Sequence, residues 1–221
     1  SNSKNVSESD TQKQEPRFFK AIFQSFNEVY QTLMEVRKYK NVAIFLLAYW
    51  FYMDGIDTIV RMATAYGSDI GLEASSMITA LILTQFVGFP STLIFGYFAD
   101  KVGFKKIISI GILIYILISI FASRITTATE FYLMAVVVGL VMGGVQAVSR
   151  AYFSSIIPED KEAQFFGFYN LVGKSAVVAG PALLAWISMI FNTPRAGILG
   201  LLILFIPGLI LLWMVPTQKN S

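Results

Sequence analysis

Residues 42–66 read VAIFLLAYWFYMDGIDTIVRMATAY, an apolar run that nevertheless contains Asp54, Asp57 and Arg61. At about 1.5 Å per residue, a helix of this length spans roughly 37 Å, more than the ~30 Å hydrocarbon core of a bilayer. The three charged residues are spaced i, i+3 and i+7, so we expect them to project from one face of the helix. Because a charge at mid-bilayer costs about 2.5–3.5 kcal/mol even on a lenient scale, these groups should face a partner or a wet cavity.

The charged cluster in this stretch has two interpretations. It is either an internal salt bridge that holds helices together, or part of the pathway of a substrate or ion. The composition around it is that of a membrane protein, since 55% of the 221 residues are hydrophobic, 14% are charged and the mean hydropathy is +0.63. We therefore predict an all-α, polytopic membrane protein.

The chain lacks two residue types on which many catalytic and metal sites depend. The sequence contains no cysteine and no histidine, which removes disulfides, thiol nucleophiles and the commonest metal ligand. Carboxylates would have to carry any proton that the protein handles. The sequence holds no phosphate-binding loop or nucleophile constellation, and its basic residues are not interleaved with exposed aromatics. We expect a protein that is not an enzyme and has no cofactor, metal site or nucleic-acid partner.

Six apolar stretches are long enough to span a lipid bilayer. Their predicted bounds are residues 42–66, 76–98, 107–122, 130–150, 164–190 and 196–215. Most basic residues fall on the side of the two termini, which holds Arg17, Lys20, Arg37, Lys38, Lys40, Lys101, Lys105, Lys106, Lys161 and Lys219. The positive-inside rule then places both termini in the cytoplasm. We expect a multi-pass protein of the bacterial inner (plasma) membrane.

The chain divides into four segments. Residues 1–15 are polar and are predicted to be a disordered tail or a cloning remnant. Residues 16–40 carry apolar side chains at helical spacing with charges between them, which predicts an amphipathic helix in the membrane interface. A helix that packs on a soluble partner is the alternative. The six-span bundle occupies residues 41–216, and residues 217–221 form a cytoplasmic tail.

Polar residues are concentrated in four of the six spans. The third and sixth spans contain no ionisable side chain, so we expect them to face lipid while the other four line an interior. Helical rise places Lys174 at the depth of the Asp54 and Asp57 pair, and these groups should approach each other or a common cavity. Two nearby carboxylates would suit a proton-coupled step; a permanent architectural ion pair is the alternative. The candidate substrate or coupling-ion pathway comprises Asp54, Asp57, Arg61, Gln85, Gln146, Asn170 and Lys174.

Two arginines lie near the predicted ends of their spans. At such positions a long side chain can reach the headgroups. Arg61 can also pair with Asp57 one turn away. Arg150 is predicted to act as an anchor or a gate.

The first and fourth spans contain a matching segment. Residues 55–61 (GIDTIVR) align without gaps to residues 144–150 (GVQAVSR), and a fainter match relates residues 87–90 (VGFP) to residues 178–181 (VAGP). The first and fourth spans run in opposite directions. The match therefore predicts two inverted three-helix repeats, with the first helix of each lining the centre.

Glycines and prolines predict how the spans approach and bend. Gly139, Gly143 and Gly144 would let another helix come close to the fourth span. Pro90 and Pro181, each beside a glycine, would bend the second and fifth spans.

Residues 96–106 read GYFADKVGFKK and follow the second span. Asp100 can cap or latch a neighbouring helix end, Gly103 permits a tight turn, and the lysines can meet anionic headgroups. The segment resembles the signature loop of the major facilitator superfamily, Gly-x-x-x-Asp-basic-x-Gly-x-basic-basic, and every position fits. The resemblance implies a conformational latch on the cytoplasmic side, formed by Gly96, Asp100, Lys101, Gly103, Lys105 and Lys106.

A second resemblance narrows the branch of this superfamily. The residues that carry it are the segment from Tyr49 through Asp54-Gly55, the segment 143–150, Pro158, the segment 165–169 and Gly173-Lys174. They look like those of the vacuolar amino-acid effluxer-like (autophagy-related) branch. The resemblance implies twelve spans in two six-helix bundles, of which this chain is the C-terminal bundle. Residues 16–40 would then be the linker between the bundles.

The function that we predict is one half of a secondary active transporter that moves a small polar solute by alternating access. Amino acids are implied as the solute by the resemblance. The expected partners are the lipid bilayer, the solute and a second six-helix bundle, from the same full-length chain or from a homodimer. A homo-oligomeric channel built on the Asp54 and Asp57 face and a non-transporting membrane scaffold are the alternatives.

Overall fold

The computed structural model describes residues 31–216 of the chain. After a helical segment at residues 31–36, this part folds into eight α-helices and has no strand. The helices are α1 (Lys40–Asp69), α2 (Ala74–Val102), α3 (Phe104–Ala122), α4 (Ala128–Ile156), α5 (Glu162–Ser175), α6 (Ala179–Phe191), α7 (Pro194–Gly200) and α8 (Leu202–Met214). A 3₁₀ turn at Glu159–Lys161 precedes α5.

These helices make six segments that are long and apolar enough to cross a membrane. Helices α1 to α4 are spans one to four. Span five (Glu159–Phe191) contains α5 and α6, and span six (Pro194–Met214) contains α7 and α8. The predicted all-α, polytopic class with six spans is confirmed. Residues 1–15, most of the predicted amphipathic helix at residues 16–40, and the tail at residues 217–221 lie outside the described residues.

Two connections are shorter than the sequence predicts. Helices α2 and α3 are separated by Gly103 alone, whose φ of 103° is a left-handed value that favours glycine. The signature segment 96–106 is therefore nearly all helical rather than a loop. Helix α4 continues to Ile156, beyond the predicted end at residue 150, and stops where Ile157 adopts the extended conformation favoured before Pro158.

The helices pack in a pattern that has internal symmetry. Span one packs along span six, and span four packs along span three. Span four also packs on span two, as span one does on span five, and spans three and six touch each other. Each contact is mapped onto another when spans one to three are exchanged for spans four to six. This pattern fits the two inverted three-helix repeats expected from the matching segments.

The glycines of α4 allow a close approach to α2, as predicted. A Cβ atom at Gly139 would lie 2.6 Å from the carbonyl oxygen of Thr84, and one at Gly143 would lie 2.3 Å from Thr92 Oγ1. The Thr84 hydroxyl donates across the interface to the Ala135 carbonyl at 3.1 Å. Small residues and interhelical hydrogen bonds thus join spans two and four, a common mode of helix packing in membranes.

Spans three and six each have one packed face and one apolar outer face. Exposed side chains on these outer faces include Leu113, Leu117, Ile203 and Ile210, which suits contact with lipid. Within the described bundle, however, 44% of the residues in the apolar 18-residue stretch of spans three and six are buried. The corresponding shares are 22% in span two and 17% in span five. The least covered side of the bundle is therefore formed by spans two and five.

Candidate functional site

A cavity of about 560 Å³ lies between spans one, two, four and five. These are the four spans that the sequence predicts to line an interior. The lining residues are Tyr49, Met53, Asp57, Thr92, Gly143, Gln146, Ala147, Arg150, Tyr169, Asn170, Gly173 and Lys174. This set defines what we call the central cavity.

Helical spacing explains why these side chains converge. Tyr49, Met53 and Asp57 are four residues apart on α1 and form one stripe. Helix α4 contributes Gly143, Gln146, Ala147 and Arg150 at intervals of three and four residues, and α5 contributes two adjacent pairs one turn apart. Asp57 and Gln146, which are aligned in the matching segments, both line the central cavity.

One wall of the central cavity is aromatic. The rings of Tyr49 and Tyr169 stack with their centroids 4.3 Å apart, and Tyr169 also stacks on Phe153 at 4.7 Å. Gly173 makes room for this wall, since a Cβ atom there would lie 3.2 Å from the Tyr49 hydroxyl oxygen. A solute in the cavity would meet both flat apolar surface and phenol hydroxyls.

Three charged residues line the central cavity without pairing with one another. Asp57 is half-buried, while Arg150 and Lys174 are exposed. Within residues 31–216 the one ion pair joins Lys161 to Glu35, so neither Lys174 nor Arg61 forms an ion pair with Asp57. The Arg150 guanidinium lies 5.2 Å from the centre of the Phe166 ring. The three charges are free to contact a ligand.

Asp54 does not line the central cavity, although it lies one turn from Asp57. Its side chain is fully buried and faces the start of α6, where a Cβ atom at Gly180 would lie 2.9 Å from Asp54 Oδ1. The prediction that Asp54, Asp57 and Arg61 share one face is therefore wrong in detail. Residues three apart on a helix differ by about 60° in direction, and that angle separates the packed side of α1 from its cavity side.

Two further residues of the predicted pathway also lie elsewhere. Arg61 and Gln85 are exposed and are not among the residues that line the central cavity. Helix α1 continues to Asp69, so Arg61 does not lie at the end of its span. Arg150 likewise lies about 9 Å before the end of α4 at Ile156, at 1.5 Å per residue.

Span five is broken between its two helices. Helix α5 ends at Ser175 and α6 begins at Ala179, whereas the sequence predicts a continuous span bent at Pro181. Pro181 occupies the third position of α6, where the missing N–H has no intrahelical partner to lose. Helix α2, by contrast, is continuous through Pro90. Lys174 therefore lies in the last turn of α5, and Asp54 lies beside the first turn of α6.

The signature segment surrounds a second cavity, of about 510 Å³, at the other end of the bundle from Gly71. Lys105 donates to the carbonyl of Val215 at 2.6 Å and so ties α3 to the end of α8. Lys101 donates to the Tyr97 hydroxyl on its own helix. Gly96 is not needed for space, since a Cβ atom there would have no neighbour within 4 Å.

Asp100 lies at this second cavity and is exposed. It makes no hydrogen bond or ion pair with any residue in the range 31–216, and Lys106 is also exposed. Of the predicted latch, the tight turn at Gly103 is present, whereas Lys105, which was expected to meet headgroups, donates to the carbonyl of Val215. A partner for Asp100 would have to come from outside the described residues.

Comparison with known proteins identifies the family. The sequence profile of the family described as "Vacuole effluxer Atg22 like" matches residues 4–221 of the chain. The chain belongs to this family. The resemblance proposed from the motif residues is confirmed.

Several relatives of this Atg22-like chain cover most of it. The Bacillus subtilis (strain 168) protein "Uncharacterized MFS-type transporter YxiO" is 37% identical over 209 residues, which are 95% of this chain and 48% of that protein. "Autophagy-related protein 22" of Yarrowia lipolytica is 28% identical over 199 residues, 86% of this chain and 34% of that protein. The Cryptococcus neoformans protein of the same name is 26% identical over 203 residues. The Atg22-like chain thus spans about half or less of the length of these relatives.

The Atg22-like chain also contains a clamp that the sequence analysis missed. Glu35, before α1, accepts hydrogen bonds from Lys161 and from Gln164 at the start of span five. The hydrogen bond from Lys161, followed by that from Gln164, holds the pKa of Glu35 below its usual value. The clamp fixes the segment that leads into α1 against the beginning of span five.

Tyr49 and Tyr169, which form a stacked pair, lie in segments that carry the family resemblance, but neither is among the predicted site residues. A usable signal was present, because Tyr49 precedes Met53 and Asp57 at helical spacing, and Tyr169 is adjacent to Asn170. Thr92 gave no comparable signal, since its place in the central cavity depends on how α2 packs against α4.

Proposed function

We propose that this Atg22-like chain is the C-terminal half of a secondary active transporter, and that the central cavity is its half of a binding site for a small zwitterionic solute. The observation that carries the proposal is the unpaired charge set in the cavity. Asp57 offers an anion, and Arg150 and Lys174 offer cations. A solute with both an ammonium and a carboxylate group would satisfy both kinds of charge.

Amino acids are the simplest solutes of this chemistry. Their ammonium group would bind Asp57, and their carboxylate would bind Arg150 or Lys174. The guanidinium of Arg150 can bind two carboxylate oxygens at once. Asn170 and Gln146 would add neutral hydrogen bonds. The stacked Tyr49 and Tyr169 would contact the side chain of the amino acid. The family description as a vacuole effluxer supports a transport role.

Alternating access requires a second wall to the binding site. Spans two and five are the least covered spans of the bundle, and exposed aromatic side chains such as Phe86 and Phe89 lie on span two. We infer that a second six-helix bundle covers this side, supplied by the same full-length chain or by a second copy. The solute would lie between the bundles and be reached from each side in turn.

The location of the ends of the bundle follows from its charges. The end that carries Lys101, Lys105, Lys106 and Lys161 is the basic one, and the positive-inside rule assigns it to the cytoplasm. Both ends of the described chain, residues 31 and 216, would then face the cytoplasm of a bacterial inner membrane. The signature segment would act there as the conformational latch, with Asp100 bound to the second bundle in one of the two states.

Counterflow in proteoliposomes tests the proposed function. The full-length protein that contains this chain is reconstituted, the liposomes are loaded with an unlabelled amino-acid mixture, and uptake of labelled amino acids is followed. A carrier gives saturable exchange that unlabelled solute accelerates. A channel would give flux without counterflow, and a scaffold would give no flux, and either result would contradict the proposal. A monomeric preparation of the present chain alone should show no transport.

A further inference from the structure

Asp54 is the most unusual side chain in the membrane-spanning part of the bundle. It is 0% exposed, and neither carboxylate oxygen has a hydrogen-bond partner. The other buried side-chain atoms without a partner in residues 31–216 are hydroxyl oxygens of Tyr115 and Ser188. Asp54 is therefore the one buried carboxylate of this region that lacks a hydrogen-bond donor, and a group of this kind normally has a functional reason.

Helix α6 packs closely beside Asp54. A Cβ atom at Gly180 would lie 2.0 Å from Thr58 Oγ1 and 2.9 Å from Asp54 Oδ1, so α6 packs on α1 as closely as its backbone allows. The Thr58 hydroxyl donates to the backbone carbonyl of Asp54 at 2.6 Å rather than to its carboxylate. The backbone of Gly180 interacts electrostatically with the carboxylate without meeting hydrogen-bond geometry.

Among residues 31–216, no lysine or arginine forms an ion pair with the Asp54 carboxylate. Helices α6 and α8, which pack on α1, contain no ionisable side chain. Lys174 on α5 and Arg150 on α4 line the central cavity instead. The ionisable group that interacts with Asp54 is Asp57, which carries a charge of the same sign. Burying an unpartnered charge is costly, so a carboxylate in such surroundings needs a proton, water or a hydrogen-bond donor.

We propose that Asp54 is a proton-binding site that controls the contact between α1 and α6, and so couples a proton to movement of span five. This proposal rests on the proposed transport function. With the proton bound, the neutral acid permits the close contact of Asp54, Thr58 and Gly180. When the proton leaves, the carboxylate must gain water or a donor. The break at residues 176–178 lets α6 move away from α1 to admit it, and the first N–H groups of α6 are then available to the anion.

The same arrangement links the proton to the solute. Two carboxylates one turn apart do not both ionise readily in a poorly hydrated site. A proton held on Asp54 lets Asp57 remain ionised, which is the form that binds an ammonium group in the central cavity. Proton binding and solute binding would therefore support each other.

Infrared spectroscopy tests the proton site without any measurement of transport. The full-length protein in liposomes should show, at neutral pH, the C=O stretching band of a carboxylic acid in an apolar environment. The band should disappear in Asp54→Asn, which mimics the neutral acid, and persist in the control Asp57→Asn. Absence of the band from the wild-type protein, or its survival in Asp54→Asn, overturns the proposal. A protein that shows the band but no solute flux would instead refute the transport function and leave the proton site standing.

Cysteine labelling tests the movement of span five, and its main comparison uses protein that retains Asp54. The chain has no natural cysteine, Ala176 in the break is 0% exposed and Val178 beside it is 72% exposed. We compare labelling of Ala176→Cys with that of Val178→Cys, so that the pH dependence of thiol chemistry cancels. The ratio should rise several-fold as the pH is raised through the titration of the infrared band, and stay low when Asp54→Asn is added. A ratio that does not change with pH overturns the coupling.

Discussion

Asp57 of span one and Lys174 of span five line the same cavity without forming an ion pair. A permanent architectural pair was the main alternative to a binding role for these two residues. Their separation in the described bundle leaves both charges available to a solute. It also means that removing either charge does not leave a buried partner unsatisfied, which makes substitution informative.

Neutral replacement of Asp57 or Lys174 should impair binding far more than folding. Loss of a charge-assisted hydrogen bond costs about 1.5–3 kcal/mol, which corresponds to roughly 10- to 150-fold weaker solute binding. We expect this loss in Asp57→Asn and in Lys174→Gln, measured by solute binding to the full-length protein. The melting temperature should change little in either variant. The control is Gln85→Ala, which is polar and exposed but lies outside the central cavity, and equal losses in all three variants would contradict the assignment.

The interface between α2 and α4 should not tolerate a larger residue at Gly143. A Cβ atom there would lie 2.3 Å from Thr92 Oγ1 and 3.0 Å from the Gly88 carbonyl oxygen. Because the second contact is with backbone, the helices must separate. We expect Gly143→Val to reduce the free energy of unfolding in detergent by about 1–3 kcal/mol, the usual cost of overpacking. Gly96→Ala, where a Cβ atom meets nothing within 4 Å, should be neutral or slightly stabilising, and a similar loss there would count against this packing argument.

The turn between α2 and α3 should require glycine. Gly103 has a φ of 103°, and a residue with a Cβ atom pays roughly 1–2 kcal/mol in left-handed conformations. We expect Gly103→Ala to lower thermal stability by this amount and to loosen the contact of Lys105 with Val215. Hydrogen exchange of the amides at the end of α8 would report that loosening. Unchanged exchange and stability would show that the turn can adopt another conformation.

The clamp between Glu35 and span five should weaken in acid. The pKa of Glu35 is lowered by its hydrogen bonds, first of all that from Lys161. A carboxylate of this kind contributes stability above its unfolded pKa of about 4.3 and loses it as the pH falls through its lower folded value. Mobility of a spin label at residue 33 should therefore increase below about pH 4.3. In Glu35→Gln the spin label should already be mobile at neutral pH. A pH response that persists in this variant would assign the effect to another group.

The placement of polar residues made much of the central cavity predictable. Gln146, Asn170, Lys174 and Asp57 all lie in spans that would otherwise be apolar, and the cost of burying them in lipid requires an interior. The same cost led to the prediction that spans three and six face lipid. Each has an exposed apolar face, but within the described bundle both are more covered than spans two and five. Six spans could be counted because a stretch of about twenty apolar residues is the length that a helix needs to cross the hydrocarbon core.

Features that depend on packing could not be predicted. Asp54 and Asp57 differ by about 60° around α1, and only the contact with Gly180 decides which of them is buried. Gly180 and Pro181 predicted a bend in span five, because a proline disrupts the helical turn before it. The sequence did not show that one helix would end at Ser175 and another begin at Ala179. The clamp of Glu35 joins residues far apart in the chain, and both partners look like ordinary surface charges.

The two triplets of the bundle differ in the continuity of their second span although their topology matches. Helix α2 is an uninterrupted rod held against α4 by close backbone contact, whereas its counterpart, span five, is jointed in the middle. Spans one to three can therefore stay fixed while span five moves. We expect any rearrangement that exposes the central cavity to begin at the break in span five. A ligand or antibody fragment that rigidifies residues 175–179 should therefore stop the transport cycle without disturbing spans one to three.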